Sequence, residues 1–174
     1  ALNLRHSNGT IDLPELTTQR VLLTSSTNCT ARATGDLTIT SEMQPESGAT
    51  FNANGNTINC FILDMQTGST IDLTNSTLKA TASSGRIFQL WDSTVITGNS
   101  IIQGYDSTKP VALYAKADGN HELVGTLQDC EVQANGDITV IGSVIRCDAS
   151  AAGANIRQWH HTLDTQQLLD ADEA

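Results

Sequence analysis

The chain has 174 residues and a mass of 18.5 kDa, which is one domain's worth of sequence. Its 19 acidic residues outnumber nine basic ones and give a formal net charge of −10. This balance argues against nucleic acid and anionic membrane surfaces as partners, because both attract clustered positive charge. No apolar run approaches the roughly 18 residues that a membrane-spanning helix needs.

Large side chains are scarce in this sequence. Hydrophobic residues make up 39% of the chain and aromatic residues only 4%, whereas Thr, Ser and Asn fill 49 positions. A core built from so few large side chains must place them at repeated positions, which predicts an internal repeat.

The N-terminal segment, residues 1–7, lies before the first repeated pattern, and we interpret it as an arm or cap. Residues 1–20 are polar and have no apolar signal-peptide core. Ala1 fits either removal of an initiator Met or signal cleavage, so this end leaves export open.

Two strand patterns alternate along residues 8–148. The first is a Thr–apolar pair, which predicts short strands with one buried face. The second is a hexamer that begins with Gly, Asn or Asp, residue types that tolerate positive φ. Its second and sixth positions are small, its fourth is apolar and its fifth is polar. The pairs begin at Thr10, Thr50, Thr70, Thr94 and Thr126, and the hexamers at Asn28, Gly55, Asn75, Asn99, Asp129 and Gly142.

The spacing of the hexamers predicts stacked coils. The intervals are 27, 20, 24, 30 and 13 residues, which fit coils of about 20 residues with loops of varying length, except for the last. Asn28–Ile39 and Asp129–Val140 match over twelve residues without a gap. We expect one interior column from the hexamers' fourth positions: Ile58, Leu78, Ile102, Val132 and Ile145. A third strand in each coil is predicted at segments such as Phe61–Met65, Ile87–Leu90 and Val111–Leu113.

Irregular coils with an Asn or Gly corner, a small–aliphatic–small interior and polar outer rows resemble the right-handed parallel β-helix proteins. That group includes pectin-lyase-like enzymes and phage tail-spike proteins. The resemblance covers about residues 8–148 and implies an all-β, right-handed parallel β-helix of about six or seven irregular coils. A β-sandwich or jelly roll is the competing fold, and the ungapped internal match favours the solenoid.

The C-terminal segment, residues 149–174, departs from this pattern. Asn155 precedes Ile156, Trp159 and Leu163 at helical spacing, which predicts a short helix. Since the last coil of a solenoid exposes its core and its strand edges, we interpret the segment as a cap or an oligomerisation tail.

We expect a homo-oligomer, and the resemblance implies a trimer. Trp159, Leu163 and Leu168 give the tail more apolar surface than one short helix needs. A predicted outer row also turns apolar at Ile101 and Val144, which indicates a second candidate interface. That row comprises Thr30, Thr57, Thr77, Ile101, Glu131 and Val144.

The four cysteines lie at hexamer positions two and six, which share parity with the buried fourth position. We therefore expect all four to point inward as free thiols, with Cys130 and Cys147 at different positions in the strand. No Cys-x-x-Cys spacing is present, and His160 and His161 make a poor chelate within one chain, so neither a metal nor a cofactor is expected. The cysteines are Cys29, Cys60, Cys130 and Cys147.

We assign no catalytic residue, because no nucleophile, phosphate-loop, dinucleotide or zinc-protease motif is present. Pectin-lyase-like enzymes use carboxylate clusters with calcium, or several Asp with His and Arg, and no matching constellation is found. Asp64, Asp72 and Asp92 lie on successive coils but in different columns, which argues against a glycosidase pair.

The stretch 91–121 is the candidate ligand site. It contains Trp91, Tyr105 and Tyr114 together with Lys116 and His121, and it spans the longest gap between hexamers. Long loops on a rigid scaffold commonly carry binding sites, and aromatic faces beside polar groups suit sugar rings. The alternative is that these residues pack the insertion against the coil wall.

The leading functional expectation is a non-enzymatic virion structural protein, such as a phage decoration, fibre or tail-spike module. Such a protein would be made in the host cytoplasm and displayed on the virion surface, among other virion proteins and against surface polysaccharide. A polysaccharide lyase or hydrolase of the pectin-lyase type is the first alternative. A cell-surface adhesin or an ice-binding solenoid, with extracellular localisation, is the second; the predicted Thr row breaks after three rungs, which weakens ice binding.

Overall fold

Successive turns of the chain stack their strands in parallel, and the resulting computed structural model is an all-β solenoid of about six turns. The structure describes residues 1–5, 8–24, 28–82, 86–91, 93–106, 111–115, 121–134, 138–149, 156–162 and 165–169. The strands are β1 (Leu2–Leu4), β2 (Gly9–Leu13), β3 (Leu16–Leu23), β4 (Cys29–Ala33), β5 (Leu37–Pro45), β6 (Thr50–Asn52), β7 (Thr57–Cys60), β8 (Leu63–Met65), β9 (Thr70–Asp72), β10 (Thr77–Ala80), β11 (Arg86–Leu90), β12 (Thr94–Ile96), β13 (Ser100–Gln103), β14 (Val111–Ala115), β15 (His121–Gln128), β16 (Cys130–Ala134), β17 (Ile138–Ile145), β18 (Asp148–Ala149), β19 (Ile156–Thr162) and β20 (Thr165–Leu169).

The strands form three faces around a common interior. Face 1 contains β2, β4, β6, β9 and β12. Face 2 contains β7, β10 and β13, together with the first residues of β5 and the last residues of β15 and β17. Face 3 contains β8, β11, β14, β16 and β18. The predicted third strands, at Phe61–Met65, Ile87–Leu90 and Val111–Leu113, all correspond to strands of face 3.

The inward side chains of the three faces pack into one core. Phe51 from face 1 and Phe88 from face 3 are its largest members and are fully buried. Ile58, Leu78 and Ile102 stack in register on face 2, as predicted. Burial of each such side chain contributes about 1.5–3 kcal/mol to folding, so reuse of one position per turn lets a lean composition build a core.

The prediction of the last two residues of the interior column, Val132 and Ile145, was wrong. After Ile102 the column continues through Leu127 and Val144. Ile145 instead pairs with Gln128 and is 37% exposed, and Val132 lies on face 3.

The error at Ile145 is a register slip of one residue. Comparison of the hexamers predicted that Gly142 lies at the level of Asn99. In the structure Gly142 stacks on Gly125, and Gly125 pairs with Ser100. Because side chains alternate between the two sides of a strand, a slip of one residue exchanges inward and outward positions.

The hexamer is a corner-plus-strand unit that occurs on all three faces. The unit at Asn28 lies on face 1, those at Gly55, Asn75 and Asn99 on face 2, and the one at Asp129 on face 3. The 13-residue interval therefore runs from one face to another within the solenoid and is not a coil. The two segments of the twelve-residue internal match, Asn28–Ile39 and Asp129–Val140, likewise begin on different faces.

The corner residues adopt the backbone conformation that their types predict. All six residues that begin a hexamer have positive φ, which Gly adopts freely and Asn and Asp adopt more readily than other residues. The values are 67° at Asn28, 80° at Gly55, 55° at Asn75, 52° at Asn99, 55° at Asp129 and 145° at Gly142.

The helix predicted after Asn155 was wrong. Ile156–Thr162 and Thr165–Leu169 are strands that pair antiparallel with each other, and the first of them also pairs in parallel with β17. An edge strand offers unpaired backbone groups, and pairing with that edge overrides a weak helical spacing. The hairpin extends the sheet at the C-terminal end.

Candidate functional site

Four of the five residues predicted as a ligand site belong to the described part of the chain, and they are distributed around the solenoid. Tyr105 follows β13 at the corner between faces 2 and 3, whereas Trp91 follows β11 at the opposite end of face 3. Tyr114 lies within β14 and His121 begins β15, on different faces. Lys116 lies outside the described residues. The described residues therefore do not bring Trp91, Tyr105, Tyr114 and His121 together.

Tyr105 does line a groove at the corner between faces 2 and 3. The groove, which we name the corner groove, has a volume of about 460 Å³ and spans three successive turns. Its lining residues are Asn59, Lys79, Ala80, Thr81, Tyr105 and Asp106.

Register explains why these residues meet. Asn59 and Lys79 are paired positions on consecutive turns, facing outward beside the buried Ile58–Leu78 column. Tyr105 and Asp106 belong to the next turn, and Tyr105 is 43% exposed. The groove thus combines an exposed aromatic face with an ammonium, an amide and a hydroxyl, which are groups that can hold a sugar ring. Sequence reasoning missed Lys79 and Asn59 because they lie one and two turns away from Tyr105.

Trp91 has a different environment. Its indole Nε1 donates a hydrogen bond to Asp64 Oδ1 at 2.8 Å. Asp64 Oδ2 also accepts hydrogen bonds from Gln44 Nε2 at 3.3 Å and from Gln66 Nε2 at 2.7 Å. These contacts join three turns of face 3, so the Trp91 ring is oriented by the wall of the solenoid.

The outer rows of face 1 correct the predicted Thr row. Thr10, Thr30, Thr50, Thr70 and Thr94 stack in register over five turns. The adjacent outer row contains Asp12, which forms a two-pronged ion pair with Arg32 at 2.8 and 3.0 Å, and Asp72, which accepts a hydrogen bond from Asn52. Only Thr30 of the predicted row belongs to this five-turn Thr row, which lies next to a charged row.

The second candidate interface is also rearranged. Thr57, Thr77 and Ile101 do form one row, which continues through Thr126 and Ser143. Ile101 is 38% exposed, whereas Val144 packs against the core, so its assignment to the same outer row was wrong. The other expected members, Thr30 and Glu131, lie on face 1 and face 3.

In the C-terminal hairpin, Trp159 and Leu168 are directly opposite each other in register, and Leu163 lies outside the described residues. An interface through these positions stays a prediction.

The carboxylates on the wall of the solenoid lie on different faces, and several of them form ion pairs or hydrogen bonds with neighbouring side chains. Asp64 lies on face 3 and Asp72 on face 1, in agreement with the expected different columns, and Asp92 lies outside the described residues. The Arg32 guanidinium, hydrogen-bonded to Asp12, holds the pKa of that carboxyl below its usual value. Arg146 does the same for the pKa of Asp129.

The cysteines are free thiols, as predicted. Cys29, Cys60 and Cys130 are buried, and Cys147 is partly exposed. The expectation that Cys130 and Cys147 occupy different strand positions was wrong, because Glu131 pairs with Asp148 and the two cysteines immediately precede that pair.

No family model, curated protein or solved structure matches this chain. Among the described residues, no three His, Cys, Asp or Glu side chains are grouped so as to hold a metal ion. The part of the chain that the structure covers also contains no helix long and apolar enough to cross a membrane.

Proposed function

We propose that this chain is a non-enzymatic structural β-solenoid of the kind used in virion fibres and tail spikes, and that it binds a surface glycan in the corner groove. The expectation of a virion protein comes from the β-helix resemblance, and the wall of the solenoid supports a structural role.

The observation that carries the proposal is the use of wall carboxylates to connect successive turns. Asp64 accepts three side-chain hydrogen bonds, and Asp12 and Asp129 each form a two-pronged pair with an arginine from the next turn. The lowered pKa of Asp12 and Asp129 keeps both ionised near neutral pH, whereas a general acid or base needs a pKa near the working pH. These carboxylates are suited to holding turns in register.

Incubation with neutral and acidic polysaccharides tests the structural assignment. We expect no release of reducing ends or unsaturated sugars. Turnover that disappears on Asp64→Asn, with an unchanged circular dichroism spectrum, would establish the lyase or hydrolase alternative and overturn the proposal.

The corner groove is the binding part of the proposal. An exposed tyrosine ring gives a sugar an apolar face to stack on, while Lys79 and Asn59 supply donors for hydroxyl or carboxylate oxygens. Because the net charge is −10, long-range electrostatics disfavours a highly anionic glycan, so we expect neutral or weakly acidic sugars to bind best.

Titration with defined oligosaccharides tests the groove. Tyr105→Ala should weaken binding about tenfold, or about 1.4 kcal/mol, through loss of the stacking face. Phe61→Ala is the matched control, because Phe61 is similarly exposed at 40% and is not part of the groove lining. Equal binding by both variants and by the unmodified chain would place the glycan elsewhere.

A second candidate function, ice binding, is favoured by the five-rung Thr row on face 1. Rows of Thr repeat roughly every 4.8 Å along such a face, which suits a regular crystal surface. Thermal hysteresis that is lost in Thr50→Lys and kept in Thr77→Lys, on face 2, would support it. Absence of hysteresis in the unmodified chain would remove this candidate.

A further inference from the structure

Cys130 and Cys147 occupy equivalent positions on consecutive turns, at the corner between faces 2 and 3. Strands β16 and β18 pair from Glu131 and Asp148 onward, so the residue before each lies directly at the corner. Adjacent strands are roughly 4.8 Å apart, which falls within the Cα separation that a disulfide bridges.

The two thiol groups lie close enough for each to shift the pKa of the other through a hydrogen-bonding interaction of their side chains. Cys130 Sγ also contacts the carbonyl oxygen of Gln128 at 3.2 Å, and Cys147 Sγ contacts the adjacent carbonyl oxygen of Leu127 at 3.4 Å. Both sulfur atoms are thus directed towards the same end of β15.

The residues immediately before the cysteines hold the two corners together. Asp129 and Arg146 both have positive φ, at 55° and 50°. Arg146 Nε donates to Asp129 Oδ1 at 2.6 Å and Nη2 donates to Oδ2 at 3.0 Å. Because the Asp129 side chain is only 2% exposed, this ion pair fixes the register of the corners, and with it the position of the two thiols.

We propose that Cys130 and Cys147 form an intramolecular disulfide by exchange with a low-molecular-weight disulfide such as glutathione disulfide. The bond would join the last two turns. Cys147 is partly exposed and Cys130 is fully buried, so Cys147 meets the oxidant first.

The exchange takes place in two steps. The Cys147 thiolate attacks one sulfur of glutathione disulfide, which breaks that S–S bond and releases one glutathione; the released thiolate takes up the proton that Cys147 lost. The Cys130 thiol then gives up its proton and attacks the Cys147 sulfur, and the second glutathione leaves as a thiol. Two electrons pass from the protein thiols to glutathione disulfide.

The protonation equilibria agree with these roles. The hydrogen bond from Cys130 lowers the pKa of Cys147, and the thiolate is the reactive form of cysteine. The same hydrogen bond, with burial, raises the pKa of Cys130. At Cys60, burial raises the pKa to about 12, which keeps that thiol protonated.

The other two cysteines provide matched controls. Cys29 pairs with Gly9, and Cys60 pairs with Ile39 and Ala80, so neither has a cysteine in register on the described turns. The same oxidant should leave both as thiols.

Peptide mapping of the full chain tests the proposal. Reduced protein is treated with glutathione disulfide, denatured in the presence of an alkylating agent so that buried thiols also react, and digested with trypsin without reductant. Cleavage after Arg146 separates the two cysteines into peptides 117–146 and 147–157. We expect these peptides to be linked and to separate on reduction, with Cys29 and Cys60 recovered in alkylated form.

Two variants complete the experiment, with circular dichroism used to confirm that each is folded. The double variant Cys29→Ser, Cys60→Ser should still form the link. Cys130→Ser should instead retain glutathione on Cys147, because no second thiol displaces it. Absence of the linked peptides in the folded chain, or a link found only between two chains on a non-reducing gel, overturns the proposal.

Discussion

Gly125 and Gly142 stack directly above Ser100 at the corner where the chain enters face 2. Their φ values of 143° and 145° lie in the region that favours glycine. A Cβ atom on Gly125 would overlap the backbone oxygen of Ser100, and one on Gly142 would overlap that of Gly125. Close approach of backbones at this corner therefore depends on residues without side chains.

Gly125→Ala should destabilise the protein. Backbone strain alone costs about 1–3 kcal/mol, and the overlap with Ser100 adds to it. Gly55→Ala is the control, since Gly55 also has positive φ, at 80°, but its Cβ would meet open space. Urea denaturation should give a clearly lower free energy of unfolding for Gly125→Ala than for Gly55→Ala. Equal losses would mean that the close approach to Ser100 contributes nothing.

The Asp129–Arg146 pair predicts a pH dependence of stability. The pKa of Asp129 is lowered in the folded state, so the pair stabilises the fold above the unfolded-state pKa of about 3.9. That stability is lost as the pH falls through the folded-state pKa. Thermal melts should therefore give Arg146→Ala a lower Tm than the unmodified chain near neutral pH. The two Tm values should converge as the pH falls.

Arg32→Ala is the control for this measurement. The Asp12 and Arg32 side chains are about half exposed, and an exposed ion pair contributes little to stability. A pH profile for Arg146→Ala that parallels the unmodified chain would show that the buried carboxylate does not depend on its arginine.

At the scale of strands and corners, two features were predictable: the alternation of buried and exposed side chains along each strand, and the residue types that begin each hexamer at a corner. Asn28 and Asn75 were expected to adopt positive φ because of their residue type, and they do. The face on which each strand lies was not predictable, because the same local pattern satisfies every corner. Only pairing between turns distinguishes Val132, on face 3, from Ile102, on face 2.

The corner groove and the thiol pair were hidden from sequence reasoning for the same reason. Lys79 and Tyr105 are 26 positions apart, and Cys130 and Cys147 are 17 apart. Each pair meets because of the lengths of the intervening loops, which vary from turn to turn and have no residue pattern that fixes them.

Adjacent isoleucines of β13 test the assignment of inward and outward sides. Ile102→Ala should lower the free energy of unfolding by about 2–5 kcal/mol, because the side chain is 4% exposed within the core. Ile101→Ala, one residue away and 38% exposed, should have a small effect on the isolated chain. Chemical denaturation measures both, and a reversed order of effects would contradict the register of face 2.

At the scale of the whole molecule, both ends of the solenoid present strand edges, and self-association is one way to cover them. β19 pairs with β17, and the C-terminal hairpin places Trp159 opposite Leu168. Burial of large apolar side chains between chains contributes about 1.5–3 kcal/mol for each side chain that becomes fully buried. We therefore propose that this end joins protomers, in the trimer that the β-helix resemblance implies.

Light scattering on the full chain and on a chain without residues 150–174 tests that proposal. The full chain should have the mass of a trimer, and the shortened chain should be monomeric with a lower Tm, because the edge of β17 loses its partner. If the trimer persists after truncation, the interface must instead include the exposed Ile101, and Ile101→Asp should then dissociate it. A monomeric full chain would exclude the C-terminal hairpin as an interface, whatever the Tm of the shortened chain.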